Sequence, residues 1–186
     1  MASSQLETLQ WQFGLAWRLA GYHLPVLTGE ACLWEPAPHC WTVRQAADGK
    51  WRPDWADAEP DPAPATTIGW LTWHLIWWWS GALRAVRKEA AVPREEVFWP
   101  GSAEGVRQSL ETLSRDWSAM LAGLIDADLE KPFAHPWTEP RPFRIALAWA
   151  NAELMKNVAE IGTVRHLFEA SRHNHASSGI ISRKVP

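Results

Sequence analysis

Apolar side chains recur at steps of three and four in four stretches of the chain. Over residues 4–22 the series is Leu6, Leu9, Phe13, Ala16 and Ala20. This spacing predicts an amphipathic helix, ended by Gly21 and Pro25. A second series, Ile68, Leu71, Leu75, Trp78 and Ala82, follows Thr66 and Thr67, either of which can cap the helix. His74 belongs to a neighbouring stripe with Trp70, Trp77 and Gly81, at the flank of that core face. Pro93, Pro100 and Gly101 then break the chain, and Ser102 is placed to cap a third helix with Glu104 in its first turn. Its apolar face is Val106, Leu110, Leu113, Trp117, Leu121 and Leu124. A fourth helix is expected over residues 143–170, with Leu147, Ala150, Leu154, Val158, Ile161 and Leu167 or Phe168 inward. Four helices of roughly 20 residues, about 30 Å long each, predict an all-α fold, a four-helix bundle.

The connections carry a different pattern. Forty residues between the first two helices are rich in proline, glycine and aspartate. Within them "CWTVRQ", "AADG" and "KWRPDW" read as a short β-hairpin near residues 41–52, turned at Asp48 and Gly49. A connection this long is functional or wraps the surface, and Trp34, Trp41, Trp51 and Trp55 are placed to anchor it. "KPFAHPWTEPRPF" makes a second, proline-rich connection before the fourth helix. Residues 1–175 are expected to form one domain and 176–186 a flexible tail.

Composition sharpens this picture at one point. Fifteen tryptophans stand against a single tyrosine, which suggests a core or pocket with aromatic walls. Net charge is −3, and the nearest basic cluster, Arg84, Arg87 and Lys88, meets Glu89 and reads as a solvated helix end. A nucleic-acid partner is therefore not expected. Cys32 and Cys40 lack zinc-site spacing, and free thiols in a reducing cytoplasm are expected. The start "MASSQLETLQ" is not a signal peptide. The apolar run Ile68–Leu83 is shorter than the roughly 20 residues a membrane span needs and contains His74.

The candidate chemistry lies on the fourth helix. Glu153, Asn157 and Glu160 sit at i, i+4 and i+7 and share one face beside the apolar stripe. A carboxylate at the edge of a core reaches water, finds a partner or does chemistry. His74 among its tryptophans has three readings: a satisfied structural histidine hydrogen-bonded to Glu153, a metal ligand, or a metal-free acid/base.

"TIGWLTWHLIWWW", "DGKWRPDW" and "NAELMKNVAEIGTVRHLF" together resemble the DinB/YfiT-like superfamily of four-helix bundles. The resemblance implies a cleft between the second and fourth helices that holds a divalent metal, zinc or nickel. It also implies thiol-dependent S-transferase or hydrolase chemistry with a low-molecular-weight thiol, and a homodimer. Relatives of that kind take one histidine from the second helix and an H-x-x-x-H pair from the fourth. Onto these positions fall His74, Glu153 and Asn157, with Glu160 three residues on. The implied roles are His74 and Glu153 as catalytic groups, His74, Glu153 and Asn157 as metal ligands, and Trp70, Trp77 and Glu160 in cofactor binding. Trp17 is a further candidate for the aromatic wall. One histidine of three remains, and asparagine is a poor ligand for zinc or nickel. His135 could fold over the site from the loop. His23, His39, His166, His173 and His175 do not join it by spacing. A small-molecule-binding or dimeric scaffold protein without metal is the competing reading.

Overall fold

The computed structural model describes residues 4–58 and 60–181, with side chains through residue 173. The expected tail, 176–186, and His175 lie outside the described side chains. Five α-helices make up the frame: α1 Gln5–His23, α2 Gly29–Leu33, α3 Ile68–Val86, α4 Ala103–Ala122 and α5 Phe143–Ile181. Four are the long helices of the bundle, and α2 is a single short turn in the first connection. The α5 backbone runs past Ala170 to Ile181. No described helix is long and apolar enough to cross a membrane.

The helix starts obey local chemistry. Ser4 and Glu7 form a reciprocal capping box at α1. Thr67 accepts from the Trp70 amide at 3.1 Å, and Ser102 accepts from the Gly105 amide at 3.0 Å. The α3 helix packs against both α4 and α5, and α1 packs along α5. Trp73 and Trp79 are the largest fully buried side chains, and both come from α3. On α1, Trp11, Leu15 and Tyr22 remain an exposed apolar stripe.

The first connection folds as its turn residues dictate. Strands β2 (Val43–Gln45) and β3 (Trp51–Pro53) pair antiparallel around Gly49, which has φ +79°. Asp48 holds Arg52 at 2.8 Å across the hairpin. Strands β1 (Cys40–Trp41) and β4 (Ala65–Thr66) add a short parallel pair that ties both ends of the connection together. Trp55 stacks on both Trp41 and Trp70, Trp41 meets Trp70 at a tilt, Trp51 packs on Trp99, and Trp34 packs on Phe168. All four connection tryptophans thus anchor it to the bundle or its loops. Strands β5 (Pro132–Phe133) and β6 (Arg141–Pro142) close the second connection.

One polar cluster holds the end of α1 to α5. His23 is 8% exposed, and a Cβ on Gly162 would sit 2.5 Å from its Nε2. Arg165 donates to His23 Nδ1 at 3.4 Å and contacts His166 Nε2 at 2.7 Å. Burial lowers the His23 pKa below its ordinary 6.5, and Arg165 and His166 push the same way, against Glu169. The unfolded chain therefore takes the proton first as pH falls. The stability that neutral His23 contributes is complete above about pH 6.5 and is lost progressively below it. We expect His23→Gln to show a shallower loss of stability than wild type between about pH 7 and pH 5. Urea unfolding across that range checks this, and equal slopes would show that His23 does not drive the acid response.

Candidate functional site

A cavity of about 520 Å³ opens between α3 and α5. One α3 stripe lines it: His74, Trp77, Trp78, Gly81, Arg84 and Ala85. These positions recur at i, i+3, i+4 and i+7, so one helix face supplies a whole wall. Trp149, Glu153 and Lys156 come from α5. Glu89, Ala91, Val92 and Val97 close one side, and His135 and Pro136 reach in from the second connection.

His74 is half-buried in this wall. Trp70 stacks on it with ring centroids 5.1 Å apart and planes 11° from parallel. Its Nδ1 meets Asn157 Oδ1 at 3.1 Å. The expected bond to Glu153 is not made; Asn157, one helical turn along α5, takes that place. Glu153 instead pairs with Lys156 at 2.8 Å and receives the Asn157 amide nitrogen at 3.4 Å. Burial is the main influence on His74 and lowers its pKa below the ordinary 6.5. The Asn157 hydrogen bond and the Glu153 charge oppose that shift, and Lys156 adds to it. Imidazole in this wall is therefore neutral at pH 7.

The other expected residues divide. Trp77 lines the cavity. Trp70 does not; it backs His74 from the far side and donates to the Asp54 carbonyl at 2.9 Å. Glu160 is exposed and does not line the cavity. Its pKa is raised, mainly by loss of hydration. Trp17 packs on Trp79, away from the cavity. His135 does fold over the site: its ring lies against Gly81, whose added Cβ would meet Cε1 at 3.4 Å. It also meets Trp149 edge-on at 6.3 Å. Burial lowers its pKa as well. His23 and His166 pack together elsewhere, at the α1 end.

Sequence reasoning missed Trp78, Trp149, Arg84 and Gly81 as lining residues. Trp78 belongs to the core stripe by periodicity, yet its ring serves both, buried and at the cavity wall. Trp149 carries a readable signal, since it precedes Glu153 by one helical turn. Arg84 is held by Glu89 at 3.2 Å and by the Ala90 carbonyl at 2.7 Å.

Zinc and nickel sites are built from imidazole, thiolate and carboxylate donors. Here Asn157 Oδ1 is engaged by His74, and the Glu153 carboxylate faces an ammonium group. Among the described residues, no three His, Cys, Asp or Glu side chains are grouped so as to hold a metal ion. The thiols do not compensate: burial raises Cys32 to about 12 and Cys40 to about 11. The His74, Glu153 and Asn157 set does not fit a transition-metal ion. What the arrangement offers is a neutral imidazole, two internally matched ion pairs and broad tryptophan walls.

No curated protein matches the chain. Among solved structures it resembles a conserved protein from Enterococcus faecalis, at 13% identity and a TM-score of 0.59. That similarity covers 89% of this chain and 98% of the other, and shows a shared fold. The sequence itself matches the DinB superfamily over residues 12–161, a span that includes α3, the hairpin connection and the polar face of α5. The chain belongs to the DinB superfamily.

Proposed function

We propose that this protein binds a small, flat, amphipathic organic molecule in the α3–α5 cavity, without a tightly held transition metal. The observation that carries this reading is the wall itself. Trp77, Trp78 and Trp149 line a cavity of about 520 Å³ beside a neutral histidine. Ligand sites of this kind are concave, mostly apolar, and carry a few polar groups that fix orientation. The metal-dependent thiol transfer or hydrolysis implied by the resemblance needs donors that this wall does not supply. His74 is a neutral base positioned for chemistry on a bound molecule.

Two measurements on untagged protein test the reading. Calorimetry with 2-methoxynaphthalene, an uncharged flat probe, is expected to show binding, and Gly81→Leu should weaken it at least ~10-fold by filling the cavity. No binding, or equal binding in the variant, would remove the cavity as the site. Elemental analysis is expected to find zinc and nickel well below one per chain. A near-stoichiometric metal that disappears in His74→Ala would overturn the metal-free assignment.

A further inference from the structure

Asn157 is 1% exposed. Its Nδ2 lies 2.7 Å from the Glu153 carbonyl oxygen and 3.4 Å from Glu153 Oε2. Both neighbours accept hydrogen bonds, so the amide nitrogen must face them. The reverse orientation would press the amide oxygen against two oxygens. The Asn157 oxygen is thereby committed to His74, at 3.1 Å from Nδ1. Nδ1 must then carry the hydrogen. A neutral imidazole has one N–H, which leaves Nε2 as a bare lone pair.

That lone pair is available. No described residue bonds His74 Nε2. Nor does it belong with the sealed, unpartnered atoms, which include Trp78 Nε1 and His135 Nε2. His74 lines the cavity, so its free nitrogen is the acceptor presented to a bound molecule. The charges around it are already matched, Lys156 to Glu153 at 2.8 Å and Arg84 to Glu89 at 3.2 Å. An ionic head group would lose water here and meet no unpaired counter-charge.

We propose that the cavity selects an uncharged aromatic molecule bearing an O–H or N–H donor, which is held through His74 Nε2. Asn157 is the positioning residue, because it decides which ring nitrogen faces the ligand. This rests on the cavity being the binding site, and it adds the chemistry of the ligand. It also assigns a purpose to the Asn157 amide, which fixes one tautomer of its imidazole partner.

The test rests on two neutral probes, one with a hydroxyl donor and one with that hydrogen replaced by methyl, and on a third, anionic probe. For wild-type protein, 2-naphthol is expected to bind at least ~10-fold tighter than 2-methoxynaphthalene, and 2-naphthoate more weakly than 2-naphthol. In Asn157→Leu the naphthol preference should fall below ~3-fold, because the imidazole loses its fixed tautomer. Nitrogen NMR of wild-type His74 should show a pyridine-like Nε2 and a pyrrole-like Nδ1. Equal binding of the two neutral probes overturns this inference alone and leaves the cavity reading standing. Tighter binding of 2-naphthoate does the same. Failure of every probe overturns both. A reversed tautomer, or an undiminished preference in folded Asn157→Leu, overturns the role of Asn157. If the variant does not fold, the wild-type spectrum and the probe pair still decide.

Discussion

Trp79→Ala is expected to destabilise the fold by about 3–5 kcal/mol. Trp79 is 1% exposed and sits where three helices meet. It touches Phe13 and Trp17 of α1 at 6.0 and 5.9 Å between ring centroids, and Trp117 of α4 at 6.4 Å. It also stacks on its neighbour Trp78 at 5.9 Å. Alanine removes the apolar contact of all four rings and leaves a cavity that rigid helices cannot close. Urea unfolding followed by circular dichroism measures the loss. A cost below about 1 kcal/mol would mean that α1, α3 and α4 do not share this junction.

Gly69→Ala is expected to lower stability by about 1–3 kcal/mol, although alanine is the better helix former. Intrinsic propensity alone favours the substitution by about 1 kcal/mol. The added Cβ would sit 2.8 Å from Val43 Cγ2 and 2.9 Å from the Cys32 carbonyl oxygen. The carbonyl belongs to the α2 backbone and cannot move aside as a side-chain tip can. Steric overlap therefore outweighs propensity. Gly14→Ala provides the contrast within the same measurement. Its Cβ would meet only the Arg18 guanidinium, at 3.6 Å, so propensity should win, with a gain of about 0.5–1 kcal/mol. If Gly69→Ala were as stabilising as Gly14→Ala, the close docking of α2 and β2 on α3 would be wrong.

Both results bear on function. Trp79 holds α3 against α1 and α4, while the opposite face of α3 forms the cavity wall. Gly69 lets the hairpin connection lie close to the start of α3. That connection delivers Trp41 and Trp55 to the stack behind Trp70 and His74. Arg94 covers the outer face of Trp55 at 4.4 Å. The position of the His74 ring is thus set from behind by aromatic packing and in front by Asn157.

The sequence by itself determined the local elements. Periodicity marked the four long helices, and Ser102 and Thr67 capped them as their side chains require. Asp48 and Gly49 turned the hairpin, because a positive φ and an acceptor side chain act within a few residues. The motifs that resemble the DinB superfamily were equally readable, and so was the shared face of Glu153 and Asn157. Only the tertiary structure decided which of these two meets His74. They are separated by about 6 Å along one helix, and a small rotation or slide of α5 against α3 exchanges them. That setting comes from the packing of the whole bundle and from no local signal. The same holds for Glu160, which shares the helical face yet does not line the cavity. His135 stands 61 positions from His74 in the chain, and only the closure of β5 on β6 brings its ring over Gly81. Local chemistry acts through neighbours in sequence, whereas a site between helices depends on their relative register, which the complete core sets.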